Sequence, residues 1–110
     1  MEIKIQWTEN AINLLEQIFD YYKYNASIKV SKKIVSQIIE RTLLLEKNPF
    51  IGKREPLLEN RKNEYRFIVK GNYKIIYFVN ENIVKISSVF DCRQNPIKIL
   101  PKYKLYHYLV

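Results

Sequence analysis

Hydrophobic and polar positions change period several times along this chain. Glu2 to Trp7 alternates Ile3, Ile5 and Trp7 with Glu2, Lys4 and Gln6, the pattern of a half-buried strand. Thr8 then offers a hydroxyl N-cap, and Glu9 suits the positive end of a helix. Ala11, Leu14, Leu15, Ile18, Phe19 and Tyr22 recur at helical spacing, predicting a first helix from Glu9 to Tyr22. A polar break over Lys23–Ser27 supplies Ser27 as the next cap. Ile28, Ile34, Val35, Ile38, Ile39, Thr42 and Leu45 mark a longer second helix that must stop before Asn48-Pro49, because proline lacks a donor and clashes with the preceding turn. Two helices joined by so short a break form an αα-hairpin with one apolar side.

Period two returns in Tyr65–Phe90, YRFIVKGNYKIIYFVNENIVKISSVF, which is rich in Val, Ile, Tyr and Phe. Gly71-Asn72 and Glu81-Asn82 cut it into three antiparallel strands, and a leading glycine suits a tight hairpin turn. Tight loops set Lys70 opposite Tyr73, Val69 opposite Lys74 and Asn80 opposite Ile83. One face then collects Arg66, Ile68, Tyr73, Ile75, Tyr77, Val79, Val84, Ile86 and Ser88. The other collects Tyr65, Phe67, Val69, Lys74, Ile76, Phe78, Lys85, Ser87 and Val89. Neither face is polar, so both need cover: helices on one, and the chain's own tail or a partner chain on the other.

Between helix and meander, Phe50 to Glu64 is charged and aperiodic, and reads as an exposed loop with a turn of helix near Leu57 and Leu58. Beyond Phe90 the segment DCRQNPIKILPKYKLYHYLV carries two prolines and then places Tyr103, Leu105, His107 and Leu109 on one side, a late strand or strand-like arm. The expected fold is a single α+β domain over residues 1–110, in the order βααβββ. An antiparallel sheet packs on the αα-hairpin and gains an extra C-terminal strand.

Composition narrows the chemistry. A chain of 110 residues supports one core without staples, and a single cysteine, Cys92, excludes an internal disulfide. With no signal peptide and no apolar run long enough to span a bilayer, a soluble cytoplasmic protein with no membrane partner is expected. Lys and Arg number 19 against 11 Asp and Glu, a formal +8. Such a field attracts polyanions: nucleic acid, the ribosome, an acidic protein segment, or a protein that handles nucleic acid. The plainer reading is that the cations keep a tyrosine-rich surface soluble.

Metal-ligand spacings are missing: the one histidine is His107, the carboxylates are scattered, and no P-loop or dinucleotide fingerprint exists. Neither a metal nor a cofactor is expected. What remains is a set of cations on and beside the sheet, Arg66, Lys70, Lys74, Lys85, Arg93 and Lys98, with Tyr65, Tyr73 and Tyr77 nearby. They fit a metal-free clamp on a scissile phosphate, or a docking surface. Taken singly, a strand lysine more often guards an edge and a tyrosine more often fills a core.

In this order the pieces resemble the ParE/RelE superfamily of toxins from type II toxin–antitoxin modules, the plasmid-stabilisation type. Trp7-Thr8 with Ala11, Leu15, Ile18 and Tyr22 resembles the family's first helix, and Leu45, Pro49 and Gly52 match its L-x-x-x-P-x-x-G. Tyr65-Arg66 and Tyr73-Lys74-Ile75-Ile76-Tyr77 resemble its hairpin, and VFDCRQNP, from Val89 to Pro96, the arginine-bearing end of its last strand.

The resemblance implies a growth-inhibiting toxin held in check by a cognate antitoxin with an acidic C-terminal segment. Its ParE branch poisons DNA gyrase by binding and is similar to this chain in its long helices and its arginine on the first hairpin strand, although Asp91 stands where that branch has a histidine. The RelE branch cuts mRNA on the ribosome. Against it, Tyr65 and Phe67 replace two lysines, Lys74 falls on a basic catalytic position, Arg93 falls near another, and Tyr103 or Tyr106 stands in for a terminal tyrosine. The catalytic candidates under that alternative are Lys74, Arg93 and Tyr103. The surface for target or antitoxin is expected to comprise Arg66, Lys70, Tyr73, Lys74, Tyr77, Lys85, Arg93 and Lys98. A non-toxic basic nucleic-acid-binding module is the third reading.

Overall fold

Both helix starts are made by the hydroxyls expected from sequence. In the computed structural model, which describes residues 2–93, Thr8 accepts the Ala11 N–H at 3.2 Å and opens α1 (Glu9–Asn25). Ser27 accepts the Val30 N–H at 3.1 Å and opens α2 (Ile28–Thr42). Each cap satisfies an amide that the first turn leaves without a partner. The helices pack where Ser31 is small and fully buried, and its hydroxyl donates to the Phe19 carbonyl at 2.8 Å. After Thr42 the backbone tightens into a 3-10 turn, Leu43–Glu46, ahead of Pro49.

A five-stranded sheet lies against this hairpin. Its strands are β1 (Lys4–Trp7), β2 (Lys53–Arg54), β3 (Arg66–Lys70), β4 (Tyr73–Asn80) and β5 (Ile83–Asp91), in the order β1-β5-β4-β3-β2. The turn chemistry sets the expected register: Lys70 pairs with Tyr73, Val69 with Lys74, and Asn80 with Ile83. Gly71 supplies the positive φ of +60° that the first turn requires. The sheet is mixed rather than wholly antiparallel, because β1 runs parallel to β5, pairing Lys4 with Ile83 through to Trp7 with Ile86. Helix α1 carries the chain away from the sheet directly after β1, so the first strand cannot return as a hairpin partner.

A bulge corrects the predicted faces near the end of β5. Ile76 pairs with Ser88 but Tyr77 pairs with Ile86, so Ser87 is an extra residue and alternation inverts beyond it. Val89 therefore joins the core beneath the helices, and Ser88 turns to the opposite side. The helix-side core contains Ile38, Leu45, Ile68, Ile75, Tyr77, Val84, Ile86 and Val89, with Trp7, Leu15, Ile18 and Ile34 packed against it. Each such aliphatic side chain, once buried, contributes about 1.5–3 kcal/mol against the entropy of ordering the chain.

The second face differs more from expectation. The stretch read as an exposed loop contributes β2 to the sheet edge, and then a 3-10 turn, Pro56–Leu58, on the expected Leu57-Leu58 position. Leu58 packs on Ile76 with Tyr65, Phe67 and Phe90 around them. The chain thus covers one half of this face itself. The other half presents exposed Lys4 and Gln6 and half-buried Lys85 and Phe78. The late strand expected in the tail lies outside the described residues.

Gly52 joins the two halves of the fold. Its N–H donates to the Tyr77 hydroxyl at 2.9 Å, and a Cβ there would meet that oxygen at 2.6 Å and the Phe67 carbonyl at 2.7 Å. Tyr77→Phe should cost about 1–3 kcal/mol in urea unfolding, by leaving a buried N–H without an acceptor. Gly52→Ala should cost a similar ~1–3 kcal/mol through overpacking. Full stability in both variants would show that this contact holds nothing.

Candidate functional site

Lys74 is the cation that the sheet places most centrally. Strand alternation turns it to the second face, where its Nζ donates to Glu55 Oε2 at 2.9 Å. The ammonium lies 4.1 Å from the Phe67 ring centre and 5.9 Å from that of Phe90. The Glu55 side chain is only 1% exposed, and that of Lys74 is 21% exposed. Glu55 Oε1 accepts the Leu57 N–H at 3.3 Å, so one carboxylate caps the 3-10 turn and holds the lysine. By sequence pattern alone Glu55 falls within an exposed loop, Phe50 to Glu64. The available signal was an acid directly before Pro56 and the apolar pair Leu57-Leu58, which reads as a capped turn with an apolar side.

Arg66 is a structural tie. Its Nη1 donates to the Gly52 carbonyl at 2.8 Å and the Phe50 carbonyl at 3.3 Å, its Nη2 pairs with Glu64 at 3.0 Å, and its guanidinium lies over the Phe50 ring. Tyr73 and Tyr77, expected on the contact surface, are instead core residues, because they fall on the helix-covered side of β4. The Tyr73 hydroxyl donates to that of Tyr22 at 3.1 Å. Burial first, and then the Tyr22 contact, pushes the Tyr73 phenol well above its ordinary value. Burial likewise raises Tyr77, against the lowering effects of the Gly52 N–H and of Arg66.

Arg93 closes on its own neighbour. Its Nε donates to both Asp91 oxygens, at 2.9 and 3.1 Å, and its backbone N–H donates to Asp91 Oδ1 at 2.8 Å. These side-chain bonds hold the Asp91 carboxyl below its usual range and raise the Arg93 guanidinium. The pair borders a cavity of about 310 Å³ between α1 and the end of β5, lined also by Leu14, Ile18, Tyr21 and Tyr73. Lys70 is exposed at the end of β3, and Lys85 is half-buried opposite Phe78 and Gln6. Lys98, Tyr103 and Tyr106 lie outside the described residues. Lys74 and Arg93, the two described catalytic candidates, are therefore held by separate acids, and each is neutralised.

A helical hairpin laid on a five-stranded sheet is a fold shared with chains of two solved toxin–antitoxin systems. Similar in fold are a chain of the chromosomal ParDE system from P. aeruginosa (TM-score 0.68, 18% identity, covering 82% of this chain and 96% of that one) and a chain of the RelBE2 toxin–antitoxin complex from Mycobacterium tuberculosis (TM-score 0.59, 17% identity, 83% and 99%). No curated protein matches in sequence. The ParE toxin model of the type II toxin–antitoxin system parDE matches residues 5–96, and this chain belongs to that family. It is thus a toxin of the ParE/RelE superfamily. No helix among the described residues is long and apolar enough to cross a membrane.

Lys74→Ala should lower stability by about 2–4 kcal/mol, because it leaves Glu55 charged and enclosed. Replacing the pair together, Lys74→Met with Glu55→Leu, should recover most of that loss. Arg93→Ala, at an exposed side chain, should leave unfolding nearly unchanged. Alkali provides a separate check. The folded phenols of Tyr73 and Tyr77 lie above the ordinary 10.0, so the unfolded chain releases those protons first. Their stabilising contribution is complete below pH 10.0 and fades as pH rises towards the folded values. Denaturation midpoints measured on both sides of that pH should show the fall, and Tyr73→Phe should reduce it.

Proposed function

We propose that this toxin arrests growth by binding DNA gyrase in the cytoplasm, and that it does not cut mRNA on the ribosome. The observation that carries this reading is the enclosure of Lys74. Phosphoryl transfer without a metal needs a cation free to follow charge as it develops on the phosphate, and a group free to move a proton. Lys74 is already paired with Glu55 at 2.9 Å and packed against Phe67, and Arg93 is occupied by Asp91. Freeing either for a phosphate would leave an acid unpaired, and for Glu55 that acid is buried. A binding toxin has no such requirement, and its family membership supports the same reading.

A neutralising antitoxin completes this proposal. Its acidic C-terminal segment would meet a chain of formal charge +8, so association is steered by opposite charge and weakens with salt.

Purified toxin added to gyrase and DNA should trap double-strand breaks, while transcripts mapped after induced expression should show no codon-positioned cuts. Codon-positioned cuts without gyrase-linked breaks would overturn the proposal. The paired replacement Lys74→Met with Glu55→Leu should keep its growth inhibition. A folded double variant that no longer inhibits growth would show that Lys74 acts in toxicity directly and not as support.

A further inference from the structure

Helix α2 carries apolar residues on two sides, and the fold uses one of them. Ser31, Ile38 and Thr42 are buried. At 3.6 residues per turn the opposite, outward side sets Ile28 and Ile39 along one margin and Lys29, Lys33 and Glu40 along the other, with Ser36 between them, and all of these are exposed. Leu43, where the helix passes into the 3-10 turn, continues the aliphatic margin. Ile28, Ile39 and Leu43 are 50%, 39% and 50% exposed. Aliphatic side chains aligned in one stripe mark a contact surface in a way that scattered ones do not.

Charge is sorted along the same side. Lys29 and Lys33 precede Ser36 and Glu40 follows it. None of the three has an ion-pair partner among the described residues. The positions three and four away from Glu40 along the helix are Ser36, Gln37, Leu43 and Leu44, so no helical neighbour at contact spacing neutralises it.

This arrangement discriminates among occupants. A nucleic acid or an anionic membrane would gain from the lysines but meet Glu40 in the same stripe, with Ile39 and Leu43 set against phosphate. A uniformly acidic helix would oppose Glu40 as well. The surface that complements lysines at one end and a glutamate at the other is the same helix turned end for end, because antiparallel packing lays the first half of one copy on the second half of the other. Ser36, at the midpoint, is small enough to let the two backbones approach.

We propose that two copies of this chain associate through the outward side of α2, antiparallel, about a two-fold axis close to Ser36. Glu40 of each copy lies between Lys29 and Lys33 of the other, so the ion pairs repeat symmetrically on both sides of the axis. Along the aliphatic margin, Ile39 and Leu43 pack on Ile28 and on the stem of Lys32 of the second copy. Two chains of formal charge +8 repel at longer range, so the contact is an equilibrium driven by concentration and not a permanent dimer. It does not depend on what the chain inhibits, since this side of α2 is turned away from the sheet.

Sedimentation equilibrium on the full chain across a concentration series reads the association, and amide NMR shifts over the same range locate it. The chain should pass from monomer to dimer, with the concentration-dependent shifts centred on Ser36, Ile39 and Leu43. Glu40→Lys and Lys33→Glu should each weaken association about tenfold by setting like charges together. The two replacements combined restore opposite charges across the axis and should recover most of the loss. Within one chain these positions stand two turns apart and do not touch, so that recovery reports contact between copies. Leu43→Ser should weaken association too, and all of these positions are exposed, so urea midpoints should stay close to that of the unaltered chain.

A chain that stays monomeric throughout, association indifferent to Glu40→Lys, no recovery in the combined variant, or shifts centred on another face would overturn the assignment. So would an oligonucleotide that shifts these amides more strongly than the chain's own concentration does.

Discussion

Strand β4 must be covered on both sides, and the rest of the structure follows from how that is achieved. Tyr73, Ile75 and Tyr77 point one way and are buried; Ile76 points the other way and is also buried. The helical hairpin covers the first side with a broad apolar surface. The second side is covered by a short charged segment that contributes Leu58 and little other apolar bulk. Helices can bury a whole sheet face. A segment as short as Pro56–Leu58 covers only part of one.

That difference in cover explains the electrostatics. Lys74 emerges from β4 into the shallow core under Leu58, where a lone ammonium would be costly. Glu55 meets it there and also accepts the amide of Leu57. The pair locks the turn to the sheet, and the locked turn then positions β2 against β3. A cation that alternation placed in the middle of a binding platform becomes part of the support, and its charge is matched there by Glu55. Arg66 has a similar fate, since the carbonyls of Phe50 and Gly52 take its donors.

Other cations stay open to solvent: Lys4 and, in part, Lys85 on the uncovered half of the second face, and a further group at the sheet's far margin. Lys70 stands at the hairpin tip, Lys53 on the short edge strand, and Arg41 on the helix facing that edge. Such residues blunt a strand edge against unwanted pairing, while a partner carrying carboxylates can still approach. Edge protection and partner selection are therefore compatible uses of the same side chains. The interior pairs fix the turn to the sheet, and the marginal cations stay exposed.

Much of this was determined by local sequence. Thr8 and Ser27 cap their helices because a hydroxyl one position before a helix has few other uses, and Pro49 halts the second helix arm wherever it is placed. Gly71-Asn72 and Glu81-Asn82 set hairpin register because tight turns leave no slack. Alternation then assigned the β4 side chains correctly, including Lys74 to the second face. Three things required tertiary structure. Ser87 is the extra residue between the Ile76–Ser88 and Tyr77–Ile86 pairs, and no residue type announces that, so Ser88 and Val89 exchange faces. The parallel placement of β1 beside β5 depends on the route α1 takes. Glu55, 19 positions from Lys74, becomes its partner only once the segment between them folds over the sheet; charge in a sequence shows which pairs are available, and only packing decides which of them are withdrawn from water.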